Sequence, residues 1–194
     1  GLGEAQQLTG DAAYRTTLLH AAQIASSLGD ADLAAAAALA NTRGFTSLIG
    51  HLDDQRVEAI ERALELNGRA DPGRRAQLLA RESQELLYVH DRTQRQGLAM
   101  EAIALARAIP DPRVRARVLQ HAFHGLWGPD KLAVRAEMAN DMLAAAQAAE
   151  DRALEFYTKK LGFQILTDQP YDDKQRWIEL KIPRAETSVV LFTP

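Results

Sequence analysis

Through the first 150 residues, apolar positions recur every three or four residues; after Gly162 they recur every second residue. The first spacing predicts helices and the second predicts strands. Asp11 is expected to cap a helix carrying a stripe of Tyr14, Leu18, Ala21, Ala22 and Ala25, and Gly29 stands where a helix-ending glycine is expected. Ala31–Thr42 predicts a second helix of almost pure alanine, ending near Gly44. Asp54 opens a third, with Val57, Ile60, Ala63 and Leu64 on one face. A fourth runs from Pro72 to Val89, with its proline in the first turn, where a missing N–H costs nothing. Gln94–Ile109 and Pro112–Leu126 follow. Trp127-Gly128-Pro129-Asp130 then breaks the pattern, and Lys131 begins the last helix of the series.

These helix boundaries repeat. Asp30, Asp71, Asp111 and Asp151 stand in the similar stretches SSLGDAD, LNGRADP, AIPDPR and AAEDR, at spacings of 41, 40 and 40 residues. Two helices fit each interval. An amphipathic pair cannot bury both faces alone, so such pairs stack on their neighbours. Alanine at this density favours helix and lets the axes approach closely. The expectation is a right-handed solenoid of helix pairs over residues 1–150, with a period somewhat above the roughly 34 residues of a tetratricopeptide repeat.

Residues 151–194 read as a second unit. DRALEFYTKKLG (Asp151–Gly162) is helical by period, and Lys131–Leu161 contains neither Gly nor Pro, so one long helix could serve both units. Met138, Met142, Ala149, Ala153, Phe156 and Leu161 would share its apolar face. Phe163–Thr167 predicts a strand ended by Asp168-Gln169-Pro170, and Asp172-Asp173-Lys174 reads as a turn. Gln175–Ile182 alternates, with Trp177 and Glu179 on one face and Arg176, Ile178 and Leu180 on the other; Thr187–Phe192 is a third strand. The whole is expected to be mostly α: a helix-pair solenoid followed by a helix and a small three-stranded antiparallel sheet.

Composition sharpens the division. Of five lysines, only Lys131 precedes residue 151. Residues 1–150 carry 16 basic and 19 acidic groups, and the remainder 7 of each. A net charge of −3 argues against nucleic acid as a partner, which needs a surplus of Lys and Arg. The absence of cysteine excludes disulfides, thiolate metal sites and thiol nucleophiles. The longest apolar run, Leu33–Ala40, is too short for a bilayer, so no membrane partner and a cytoplasmic location are expected.

Two resemblances follow from these stretches. LGEAQQLTGDAAYRTTLLHAAQIASSLGDADLAAAAALA, RVEAIERALELNGRADPGRRAQLLARESQELLY and HGLWGPDKLAVRAEMANDMLAAAQAAED together resemble the tetratricopeptide-like arrays of actinobacterial regulators of the LuxR and SARP type, over about residues 2–150. No GxxxxGK[ST] phosphate loop and no basic recognition helix accompanies them. The resemblance therefore implies a scaffold or partner-binding role without ATP hydrolysis or DNA reading. DRALEFYTKKLGFQILTD with QRWIELKIPRAETSVVLFTP resembles the glyoxalase/bleomycin-resistance family of the vicinal oxygen chelate superfamily, over about 151–194. That family builds βαβββ modules in pairs around a metal or a flat ligand. Here the array sequence AAAQAAE stands where the first strand would be, and the second module is absent. An open sheet edge is implied, offering a route to a homodimer, with capping by the last helix of the array as the competing solution.

Candidate chemistry is sparse. His121 and His124 lie at i, i+3 and could face one metal, but no third ligand stands one turn away, so packing is the plainer reading. His20 and His51 are isolated, and His90, beside Asp91, stands at a helix end, where a histidine favours the dipole. Asp53-Asp54 reads as a cap, and Arg74, Arg75, Arg113, Arg115 and Arg117 as a solvated face. Trp127 and Tyr88, with Phe123, could line a groove of the solenoid; Trp177 and Glu179 lie on the strand that lines the cup in the resembled family. For Trp177, packing on the Asp151 helix is the plainer reading. The expected function is a non-catalytic scaffold binding a protein or small ligand, with no cofactor or metal. The alternative is a metal- or drug-binding cavity completed by dimerisation. The lysine shift and the junction at Asp151 also fit a recombined or designed chimera.

Overall fold

The computed structural model describes residues 1–42, 51–68, 70–88, 91–171 and 175–192. Among these residues are eight α-helices: α1 (Leu2–Leu8), α2 (Tyr14–Ser27), α3 (Ala31–Ala40), α4 (Asp54–Asn67), α5 (Pro72–Glu85), α6 (Arg92–Ala106), α7 (Pro112–Gly125) and α8 (Leu132–Glu155). Strands β1 (Gln164–Pro170), β2 (Arg176–Lys181) and β3 (Ser188–Phe192) follow as one antiparallel sheet in that spatial order. The chain is mostly helical with a small sheet at its C-terminal end. The expected ends near Gly44 and Val89, the helix-end His90 and the turn at Asp172-Asp173-Lys174 lie outside the described residues.

Aspartate caps start α3 to α7; α2 begins without one, Ala13 standing at its N-cap while the Asp11 carboxylate accepts from the Ala13 N–H. The carboxylates of Asp30, Asp71 and Asp111 accept from the backbone N–H groups of Leu33, Arg74 and Arg113, each at 2.9 Å. Asp53 and Asp91 do the same for α4 and α6, at Arg56 and Thr93. Each cap satisfies a donor that the helix itself cannot, a contribution of about 1 kcal/mol. Asp151, the fourth member of the 40-residue series, is not a cap. It lies inside α8, because nothing in Lys131–Leu161 breaks a helix and propagation is cheaper than a new start. From Glu155 the helix continues into a π turn, Phe156–Lys160, and Gly162 at φ 70° ends it. The border between residues 150 and 151 therefore falls inside one continuous helix. The shared apolar face is interrupted: Met138 is buried, whereas Phe156 and Leu161 are about half exposed.

Helix α1 was not expected from the sequence. It packs on α2 through Gly3, which lies directly against Leu18. Tyr14 and Gln7 donate to the carbonyl of Thr42, and buried Arg56 reaches Asn41 Oδ1 and the Tyr14 hydroxyl, both at 3.2 Å. Arg15 donates to both oxygens of Asp53, at 2.7 and 2.9 Å, and this pairing is the main reason that carboxyl sits below its usual range. One polar network thus ties α1, α2, the end of α3 and the start of α4.

Small residues make the core. Ala25, Ala34, Ala35, Ala38, Ile60, Ala63 and Leu78 form one cluster across α2–α5. A larger one joins Ala76, Leu79 and Ala80 of α5 to Ala99, Ala102 and Ala106 of α6, Val118 and Ala122 of α7, and Met138 of α8. Helices α3, α5 and α7 meet in succession, the last two most closely. Their tightest point is Gly125, where an added Cβ would lie 2.5 Å from the Ser83 hydroxyl and 3.2 Å from the Ala99 Cβ.

In the sheet, Ile178 and Leu180 of β2 are fully buried, and Arg176 on the same face donates to Asp151 of α8 at 2.7 Å and to both oxygens of Asp168. These two carboxylates hold the Arg176 guanidinium more firmly charged than usual. Strand β1 runs past its expected end at Thr167 and continues to Pro170, opposite Arg176. An edge strand tolerates a proline at its end, and the Asp168–Arg176 pair closes the ladder there. A register shift between Ile165 and Thr167 marks a bulge at Leu166.

Two outcomes follow from this packing. Gly125→Ala should lower stability by about 1–3 kcal/mol, because overpacking must displace Ser83 or Ala99. A urea midpoint equal to that of the parent would show that α5 and α7 can separate freely. Arg176→Ala should speed amide hydrogen exchange in β1 and β2 while leaving α5–α7 protected; uniform protection across the chain would mean that the Asp151 contact does not hold the sheet.

Candidate functional site

The four residues singled out from the sequence fall in two places. Tyr88 follows α5 in a short 3-10 turn and Trp127 follows α7, and both side chains are about half exposed. Buried Arg95 of α6 draws their segments together, donating to the carbonyls of Leu87 at 2.7 Å and Trp127 at 3.0 Å. The guanidinium of Arg135 stacks 4.3 Å from the Phe123 ring centroid and 4.6 Å from that of Trp127, fastening α8 to the end of α7. Trp177 and Glu179 lie on β2, on the face opposite Ile178 and Leu180, where the Ser188 hydroxyl donates to Glu179 at 2.6 Å. Arg176, Ile178 and Leu180, rather than Trp177, occupy the face turned toward Asp151 of α8.

None of these four lines a cleft that three of the helices form. That cleft, of about 500 Å³, opens between the end of α3 and the facing sides of α5 and α7, within the range of small-molecule sites. Helix α5 presents Gln77, Arg81 and Gln84 to it, and α7 presents Arg117, His121 and His124. Both triplets have the spacing i, i+4, i+7 of a single helix face. Each α7 residue also stands 40 residues after its α5 counterpart. Leu39 and Val118 add an apolar patch.

The electrostatics of the cleft are unlike those of the chain. No acidic side chain is among the described residues that line it, although the net charge is −3. Arg81 is buried and donates to Gln84 Oε1 at 2.7 Å, with Glu85 behind it at 3.6 Å. Arg117 is exposed and makes no hydrogen bond or ion pair among the described residues. Arg115 likewise has no partner among the described residues, whereas Arg74 pairs with Asp32 and Asp71, Arg75 with Glu101, and Arg113 with Asp111. His124 donates from Nδ1 to the Gln120 carbonyl at 2.8 Å. The Nδ1 of His121 is shielded from solvent and has no hydrogen-bond partner among the described residues. Burial, reinforced by Arg81, His124 and Arg117, pushes the His121 imidazole down to about 3; burial also lowers His124. Both rings are therefore neutral near pH 7.

His121 and His124 do share a face, but no group of three or more His, Asp or Glu side chains placed to hold a metal occurs among the described residues. A second, more open groove of about 700 Å³ lies between α7, α8 and β3, with Ala146, Ala149 and Ala153 on one side and Val190 and Leu191 on another. Glu150 borders it, its carboxyl raised chiefly by burial. No described helix is long and apolar enough to cross a membrane. Comparison of the chain with protein-family models, curated proteins and solved structures finds no match in any of the three.

Sequence reasoning passed over Arg81, Gln77 and Gln84, paired His121 with His124 as possible metal ligands, and set Arg117 apart with the other arginines. The signal was present as two identically spaced polar stripes at the repeat period. It was hidden because amphipathic reading looks for the apolar face of a helix and assigns the rest to solvent.

One buried carboxyl near this core has a testable consequence. Glu82 of α5 is 4% exposed, and its carboxyl is raised to about 7, by burial first and then by Glu61, with Arg75 opposing. Folded Glu82 keeps a proton that the unfolded chain releases above 4.5, so its contribution is complete below 4.5 and lost as pH rises to about 7. His121 acts oppositely: the unfolded chain takes up a proton below 6.5 and the folded ring does so only near 3, so stability falls as pH drops through that window. Glu82→Gln should therefore be about 2–3 kcal/mol more favourable at pH 8 than at pH 4. Equal effects at the two pH values, in urea titrations, would refute the buried-acid assignment.

Proposed function

We propose that the chain is a non-catalytic ligand-binding scaffold, a solenoid of helix pairs whose inner row, α3, α5 and α7, holds the ligand. The observation that carries this reading is the repeat-phased pair of polar stripes, Gln77–Arg81–Gln84 and Arg117–His121–His124, facing one cleft of about 500 Å³. Polar side chains kept at equivalent repeat positions beside an alanine core do nothing for that core. They suit a ligand held between successive repeats, as the concave surfaces of stacked helix pairs allow. The resemblance of residues 2–150 to tetratricopeptide-like arrays supports the same role, for a protein segment or a small molecule.

The rival reading is a metal- or drug-binding cavity of vicinal-oxygen-chelate type, completed by a second copy. The observation favouring it is β3, whose outer edge pairs with no strand among the described residues and beside which Val190 is exposed. Trp177 and Glu179 would then contribute to the shared cup.

A fragment screen read by two-dimensional NMR separates the two. Under the scaffold reading, hits perturb α5 and α7 resonances around Arg81 and His121 in a monomer. Hits confined to Trp177, Glu179 and β3, together with a dimeric mass by light scattering, would replace it with the rival.

A further inference from the structure

We propose that the cleft between α5 and α7 selects small organic monocarboxylates, with Arg117 as the group that receives the carboxylate. The inference rests on the scaffold reading and adds the chemical class of the ligand. Four observations carry it. First, the cleft lining holds two arginines and no acid in a chain of net charge −3. Second, the two arginines are not equivalent. Arg81 is buried with Glu85 behind it and Gln84 on its guanidinium, so its charge is largely balanced within the helix. Arg117 is exposed, lines both this cleft and the neighbouring groove between α7, α8 and β3, and has no ion pair among the described residues. A guanidinium offers the planar fork that a carboxylate meets bidentately. Third, the surplus is a single positive charge, because His121 and His124 are neutral near pH 7. One uncompensated cation suits one carboxylate; a phosphate dianion would bring a second negative charge with no partner. Fourth, Leu39 and Val118 offer an apolar patch for a carbon skeleton.

Arg81 has a different part. Held from behind by Glu85, it is a fixed wall of donors at the depth of the cleft, and the Gln84 amide is oriented by accepting from it. Arg117 supplies the charge and the Arg81–Gln84 pair supplies directional contacts to whatever polar group the ligand carries beyond its carboxylate. The volume of about 500 Å³ accommodates a molecule of aromatic-acid size with room for water.

The test compares benzoate, benzamide and inorganic phosphate on the full chain, at pH 7 and low ionic strength. The imidazole resonances of His121 and His124 serve as reporters inside the cleft. Benzoate should shift both and bind at least tenfold more tightly than its neutral isostere benzamide, and more tightly than phosphate. Arg117→Gln, at an exposed position with a circular dichroism spectrum like the parent's, should bring benzoate down to the benzamide level. Arg117→Lys should restore part of the preference. Benzamide binding as tightly as benzoate would overturn the charge selectivity while leaving a ligand cleft in place. Phosphate binding more tightly than benzoate would overturn the monocarboxylate class. A preference unchanged in Arg117→Gln would overturn the role of that residue. If none of the three probes moves either imidazole, while a broader neutral fragment set does, the inference fails and the scaffold reading stands. Silence from every compound at both histidines removes the two together.

Discussion

Close approach of small side chains is the constraint on which this structure depends. Where α5, α6 and α7 meet, Gly125, Ser83 and Ala99 stand so near one another that there is no room for a methyl group at Gly125. Dispersion is short-ranged, so bringing backbones this near gains many contacts from residues that offer little apolar area each. The alanines of α3 and α6 act in the same way, filling both clusters with the smallest side chain that still favours helix. The same approach sets the distance between the polar faces of α5 and α7.

Charged groups are then placed where packing alone would leave elements loosely joined. Arg95 ties the ends of α5 and α7 through two carbonyls, and Arg135 is stacked beside Phe123 and Trp127 where α8 begins. Arg176 fastens the sheet to α8 through Asp151 and to β1 through Asp168. Exposed ion pairs contribute little singly, but a bidentate arginine shared by two carboxylates is the geometry in which they contribute most. Arg117 stands apart from these, since it fastens nothing within the described residues. Other arginines such as Arg115 also lack a partner among the described residues, and it is the place of Arg117 in the cleft lining that supports reading it as a group for a ligand.

The helices were largely legible in the sequence because their signals are local. An aspartate cap satisfies an N–H two or three residues away, and a glycine or proline acts on its own backbone, so Asp30, Asp71 and Asp111 announce α3, α5 and α7 without help from the fold. Asp151 shows the limit of that logic. It has the right residue type and the right spacing, yet α8 runs through it, because a cap works only where the chain before it leaves the helix. Strand β1 passed its expected stop for a related reason: Pro170 ends a central strand but can be borne at an edge, and which strand lies at the edge is a property of the sheet.

The candidate site divides in the same way. The sequence by itself determined the helical array, its 40-residue phase, the change to period two after Gly162 and the absence of thiol chemistry, since each depends on composition or on neighbours within one turn. Only the tertiary structure decided that Gln77, Arg81 and Gln84 face Arg117, His121 and His124, that Trp177 and Glu179 turn away from α8, and that Arg176 reaches Asp151. Periodicity tells which residues share a face of one helix; it carries no information on what that face meets. That is settled by the separation of two axes, which here is set by contacts around Gly125 and Ala99, on residues other than those that line the cleft.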